Sequence, residues 1–397
     1  MLYSLPDELL VVIVEHCDQI TRKNLSFVSH RLRNPSQCII FKTVFQVALS
    51  KLYIVAAEDG GQLLEVFQNN RLLSYIQTFI IDPGIAYHHL GTGIMVSIFT
   101  ALHHMQPLGD IRLHSIPFTT TMLDRLCEVL YTQLCSVKLS CCSYPTDYTI
   151  QQAALKIHRL ELRLVLPWQD GASPHTTIKA LVAITTRSLS NIASLTLSSG
   201  LDVLAYLGTM PRLTSLNIKL KSDSNDEGLR NFLVANPQLV EFTLDGSFYD
   251  LSLLPPSALP NLRTIGVYSA EMIMHLVLGH SAAKVEIYES SEVNLMVDGL
   301  RALSRSAAPI VELTLHLHQY WTHLYQILDI VVKAVPRLER ISLSFHAEVR
   351  SILYQDAILA SIDRFFLAVA NSPHSSCQTG FAARGQFMGS RRFQAKG

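Results

Sequence analysis

Residues 210–218 read MPRLTSLNI, and the same phrase returns as NPQLVEFTL at 236–244, LPNLRTIGV at 259–267 and VPRLERISL at 335–343. In each, proline stops a preceding helix and delivers the chain in extended form. The apolar-x-x-apolar-x-apolar spacing that follows puts alternate side chains on one face of a strand. Aligning the whole chain on that spacing gives eleven units, starting at Ile76, Leu108, Leu134, Ile157, Ile192, Leu213, Leu239, Leu262, Ala282, Ile310 and Leu338, with steps of 20 to 35 residues. Helical periodicity falls between strands at 124–131, 177–185, 226–235, 297–305 and 324–334, and ahead of the first unit at 62–67, where Asn69-Asn70 breaks it. Strand then helix, repeated, predicts parallel strands side by side with helices on the outer face, since one unit cannot bury its own apolar side. A doubly wound α/β domain is the alternative, and it predicts fewer strands and longer crossovers.

The first forty residues follow another pattern. Residues 5–32 read LPDELLVVIVEHCDQITRKNLSFVSHRL. Pro6 suits the first turn of a helix, Ser4 can cap it, and Asp7 and Glu8 favour its positive end. Leu9, Ile13 and Cys17 recur at four-residue steps beside Leu10 and Val14, with Val11 and Val12 widening the apolar face. That face is wider than one packing partner needs, so a second surface must cover it. A second helix follows, with Thr21 as its expected cap, Leu25, Val28, Ser29 and Leu32 on one side, and Asn34-Pro35 as its end. So short a segment buries too little to be stable alone.

The order Leu5-Pro6-x-Glu8-Leu9 with Ile13, then Leu25-x-x-Val28-Ser29-x-x-Leu32-Arg33 and the trailing Cys38–Val44, resembles the F-box. Many members of that family carry Trp where this chain has Leu32. The resemblance implies docking on a Skp-family adaptor, which links to a cullin-RING ubiquitin ligase, while the C-terminal region selects the substrate. Carried over position by position, Leu5, Pro6, Leu9, Ile13, Leu25, Val28 and Leu32 form the adaptor-facing or supporting apolar surface, with Glu8 capping. A plain helical hairpin at the front of a larger domain is the alternative. The repeats resemble the irregular leucine-rich repeats that follow F-boxes, especially in fungal proteins. A regular repeat of that kind has Asn or Cys three residues after its last leucine, and here only Cys142 stands there, so the usual ladder of side-chain bonds is expected to be missing. The expected fold is therefore α/β: an F-box over residues 1–45, an irregular leucine-rich-repeat solenoid over 46–371, and a disordered tail over 372–397.

Composition narrows the function. Hydrophobic residues make up 49% and charged residues 16%, so most of the 397 residues must pack. Lys+Arg and Asp+Glu are both 32, which offers no basic field to nucleic acid. Seven cysteines without a C-x-x-C pair suit reduced, buried thiols. The apolar run from Gly93 to Leu102 is too short to span a bilayer. These features predict a soluble protein of the cytoplasm or nucleus, with no membrane and no nucleic-acid partner.

Strand alternation also predicts an outward polar stripe suited to grasping a protein surface. Glu161, Arg163, Thr196, Asn217, Lys219, Thr243, Tyr288, Thr314, His316 and Ser342 are its candidate substrate-binding residues. His316-x-His318 and the nearby His323 could in principle ligate a metal. They lack a Cys, Asp or Glu at ligand spacing, so no metal or cofactor is assigned. No nucleophile elbow, phosphate-binding loop or zinc-protease motif is present, and no catalytic residue is assigned. The sequence thus predicts a non-catalytic substrate-recognition subunit of a Skp-cullin-F-box ligase, with a repeat scaffold unconnected to ubiquitin as the alternative.

Overall fold

The structure, a computed structural model, describes residues 6–28, 32–33, 36, 43–44, 73, 76–81, 92–105, 108–145, 148–150, 154–163, 182–198, 204, 207–219, 226–245, 251–268, 270–288, 293–317 and 323–344. The helix expected at 62–67 and the tail lie outside these residues, as do Ser4, Leu5, Asn34 and Pro35. The chain divides into two compact units, Met1–Ile192 and Ala193–Gly397.

The first unit opens with helices α1 (Asp7–His16) and α2 (Gln19–Val28). Pro6 is the N-cap of α1, extended at φ −56° and ψ 149°, and its carbonyl accepts the N–H groups of Leu9 and Leu10. The cap of α2 is Asp18, three residues ahead of the expected Thr21: its Oδ1 accepts the N–H of Thr21 at 2.7 Å. Thr21 itself sits in the first turn, where it donates a backbone N–H to the cap. The same bond is the first cause holding the Asp18 carboxyl below its ordinary pKa. Arg22 reaches back from α2 to the carbonyls of Val14 (2.9 Å) and Glu15 (2.7 Å), satisfying groups that the end of α1 leaves open.

Five parallel strands follow in chain order: β1 (Thr43–Val44), β2 (Thr78–Ile81), β3 (Asp110–His114), β4 (Cys135–Ser140) and β5 (Ile157–Arg163). The F-box-like exit segment thus supplies β1, a strand added ahead of the eleven expected ones. Helices α3 (Thr92–Ala101) and α4 (Thr120–Thr132) lie between strands, and residues 182–188 are also helical. The Thr119 hydroxyl accepts the N–H of Met122 at 3.3 Å, which starts α4 four residues before its expected first residue. The apolar run noted at Gly93–Leu102 is α3, with Met95, Ile98 and Phe99 sealed in the core.

The second unit repeats the plan through β6 (Ser194–Ser198), β7 (Ser215–Lys219), α5 (Asp226–Ala235), β8 (Glu241–Asp245), β9 (Thr264–Val267), α6 (Ala270–Val277), β10 (Lys284–Ile287), α7 (Val293–Ala302), β11 (Glu312–His316), α8 (Leu324–Ala334) and β12 (Arg340–Ser344). Each strand pairs in parallel with the next. One carbonyl ahead of each strand accepts two N–H groups from the next repeat. Ala193 takes Thr214 and Ser215, Thr214 takes Val240 and Glu241, and the pattern runs on to Val311 with Glu339 and Arg340. Parallel strands in chain order, one per repeat, make this an open sheet of the leucine-rich-repeat type rather than a doubly wound one.

The two inward residues of each strand from β2 to β12 are buried, from Phe79 and Ile81 to Ile341 and Leu343. Each such side chain contributes about 1.5–3 kcal/mol. One expected core position fails: Leu134 is 58% exposed and Cys135 is buried instead. The cause is a bulge, with Cys135 opposite Ile157 but Ser136 opposite Arg159, so β5 holds one extra residue and β4 enters one step later.

The usual ladder after the strands has a single rung among the described residues. Cys142 does bond its neighbour, through Sγ to the Leu113 carbonyl at 3.6 Å. A different ladder lies ahead of the strands. Gln133 Oε1 accepts the Leu108 N–H at 2.8 Å, Asn191 donates to the Leu155 carbonyl at 3.0 Å, and Asn261 donates to Pro237 at 3.3 Å. Asn236 is fully buried, accepts the Met210 N–H at 2.7 Å and donates to the Phe232 carbonyl at 2.8 Å.

Candidate functional site

Two surfaces qualify, one on the N-terminal helices and one on the strands. On α1, Leu10 and Val14 close a small core with Leu32, and Leu25 packs partly against it. Leu9, one step round the helix, is 49% exposed, with Val12 at 47% and Ile13 at 38%. Ile20 and Phe27 on α2 stand out further, at 75% and 72%. Pro6 is exposed at the head of α1. Of the seven expected adaptor residues, Pro6, Leu9 and Ile13 are thus open, whereas Leu25 and Leu32 belong to the supporting core. Leu5 lies outside the described residues, and Val28 closes α2. Val11 and Val12, expected to widen the apolar face, are open as well, and so are Ile20 and Phe27, which the sequence pattern did not single out. Phe27 was legible as an aromatic next to Val28, outside the Leu25, Val28, Leu32 series.

The strand face follows from register. Across the second unit the middle row is Thr196, Asn217, Thr243, Gly266, Glu286, Thr314 and Ser342, each opposite the next. All are half-buried except Gly266, which is buried. A side chain on Gly266 has no room, since a Cβ would stand 2.7 Å from Thr243 Oγ1. Lys219, in register with Asp245, is exposed at the far end of β7. Burial raises the Asp245 pKa, and Lys219 opposes that shift.

A row of rings lies at the strand ends. Tyr268 stacks on Tyr288 at 4.6 Å and Tyr288 on His316 at 4.8 Å, with Lys219 Nζ 5.9 Å from the Tyr268 centroid. Tyr288 donates to Glu286 at 2.6 Å, and Lys284 pairs with Glu286 at 2.7 Å. Burial pushes the Tyr288 hydroxyl up, and the Glu286 carboxylate adds to it. Burial also opposes ionisation of Glu286, yet Lys284 and Tyr288 hold it below its usual value. The structure therefore brings the expected Lys219, Tyr288 and His316 into one row and adds Tyr268, which the sequence reading passed over. In the first unit, Glu161 pairs with Lys138 at 2.5 Å and Arg163 is exposed.

Among the described residues no group of three His, Cys, Asp or Glu side chains is placed to hold a metal. His318 lies outside them. Burial lifts the thiols of Cys127 to about 11 and of Cys135 and Cys142 to about 12, so these sulfurs stay protonated and act as packing groups. Among the described residues no helix is long and apolar enough to cross a membrane.

Comparison with curated proteins finds no match. Among solved structures, the chain is similar to the leucine-rich repeat-containing protein LegL7 from Legionella pneumophila, with TM-score 0.38 and 14% identity over 77% of this chain and 87% of that one. It is also similar to a chain of the Rad7 and Elc1 complex in yeast, with TM-score 0.34 and 11% identity over 88% of this chain and 96% of that one. Residues 2–34 match the family model of the F-box domain. The N-terminal helices are therefore an F-box domain, set ahead of parallel strands of the leucine-rich-repeat type.

Proposed function

We propose that this protein is the substrate-receptor subunit of a Skp-cullin-F-box ubiquitin ligase. The F-box helices dock on a Skp-family adaptor, and the outward strand face holds a protein target. The chain supplies no reacting group. It acts by proximity, raising the effective concentration of the target's lysines near the ubiquitin-loaded enzyme, to the millimolar range for a short flexible tether. Such a partnership belongs in the cytoplasm or nucleus.

One observation carries the reading. Leu9, Val12 and Ile13 stand open on α1 while Leu10 and Val14 beside them are sealed, so the helix has a second apolar side that its own hairpin leaves uncovered. The test is co-purification of the tagged chain with the adaptor and cullin, repeated with Leu9→Asp and Ile13→Asp. Both variants should keep the wild-type melting temperature and lose most adaptor, because a buried unpaired carboxylate opposes docking. Undiminished recovery of the adaptor would sink the proposal. Adaptor absent from the wild type, with a protein still held by the repeats, would favour a scaffold.

A further inference from the structure

The outward face of β3, β4 and β5 is locally basic in a chain whose formal charges cancel. Register lays out three rows: Asp110, Ser136 and Arg159; Arg112, Lys138 and Glu161; His114, Ser140 and Arg163. Four cations face two carboxylates, and both carboxylates are engaged. Asp110 pairs with Arg112 at 2.7 Å and Glu161 with Lys138 at 2.5 Å. Arg159 and Arg163 are exposed, and no ion pair joins either to another of the described residues. Four positions apart on one strand face, they stand about 13 Å from each other.

A separate observation lies in the same rows. Ser140 sits between His114 and Arg163, is buried, and its hydroxyl has no hydrogen-bond partner among the described residues. Buried hydroxyls are ordinarily satisfied, so this one is short of a partner. A bare hydroxyl in register with an open guanidinium forms half of a site for an anionic oxygen.

We infer that this face binds an acidic segment of the target protein, with carboxylates about 13 Å apart meeting Arg159 and Arg163 and the second also reaching the Ser140 hydroxyl. The inference rests on the receptor reading above and names the chemistry of its substrate. Two single, separated guanidiniums suit singly charged carboxylates, whereas a phosphate dianion calls for clustered cations. Four cations without aromatic residues between them on these strands make a poor track for nucleic acid.

The full-length chain is titrated against a fluorescein-labelled ten-residue peptide of alternating Glu and Ala, with a Lys-for-Glu peptide, a phosphoserine peptide and a single-stranded oligonucleotide as controls. The Glu peptide should bind in a salt-sensitive manner and the Lys peptide should not. Arg159→Glu with Arg163→Glu should weaken binding about tenfold or more, and Ser140→Ala should weaken it less. Should the double reversal lower the melting temperature, Arg163→Gln serves in its place, with a smaller loss expected. No binding by the wild type, equal binding of the Lys peptide, indifference to the substitutions, or tighter binding of the phosphopeptide or oligonucleotide would overturn the inference. Adaptor recovery by the Arg variants is measured in parallel. It should be unchanged, so loss of the peptide site and loss of the adaptor site are distinguished.

Discussion

The imidazole of His280 is 1% exposed; neither ring nitrogen makes a well-formed hydrogen bond among the described residues, and the nearby backbone of Leu276 and Leu278 only partly favours its charged form. Burial lowers its pKa below the usual histidine value. As pH falls through that ordinary value the unfolded chain takes up a proton that the folded ring refuses, so stability is full above it and declines below it. The wild type should therefore melt lower at pH 5.5 than at pH 8, and His280→Leu should flatten that difference. At pH 8 the substitution should be neutral or stabilising, because an unsatisfied buried polar group costs about 1–3 kcal/mol. Thermal melts of both proteins at the two pH values check this, and an unchanged slope in the variant would assign the pH effect elsewhere. Residue placement along most strands was legible from alternation alone, β4 with its shifted entry at Cys135 being an exception. Tyr268 escaped because Gly266 interrupts the polar pattern of β9, and a glycine carries no sign of which face it occupies.

Elements were legible where an amphipathic period or a breaker marked them. Helices α5 and α8 occupy their expected spans, 226–235 and 324–334. Helix α3 was not assigned as one, because apolar side chains all round it erase the period that separates a buried helix from any other apolar run. The bonds that lead into the strands escaped for another reason: Asn236 reads in sequence as a turn residue before proline, and only folding shows it closed over two backbone groups. Asn236→Ala should cost about 2–4 kcal/mol by exposing those groups unsatisfied in the core. Asn261→Ala, which removes one surface bond, should cost under about 0.5 kcal/mol. Urea unfolding of the two variants makes the comparison, and equal effects would show that Asn236 is not the stronger tie.

At the scale of the whole chain, parallel strands in chain order mean that each repeat touches chiefly its neighbours. Within the second unit, β7 and β12 are five strand steps apart, about 24 Å. Ile218→Val and Ile341→Val should each cost about 0.5–1.5 kcal/mol, and the double variant should match their sum within about 0.5 kcal/mol. A coupling above about 1 kcal/mol between them, from urea titrations, would mean that strain travels along the sheet.

By itself the sequence determined the place and order of eleven of the twelve strands, because a period of two in hydrophobicity has one solution once a face must be buried; β1, two residues long, shows no such period. It also located the F-box helices, through a proline, a pair of acids and an apolar run of helical period. Tertiary structure decided which apolar residues of α1 stay open, how the bulge at Cys135 shifts one strand, and which charges on β3, β4 and β5 cancel. Those outcomes depend on neighbours distant in the chain, and local sequence holds no record of which side chain a partner will cover or neutralise.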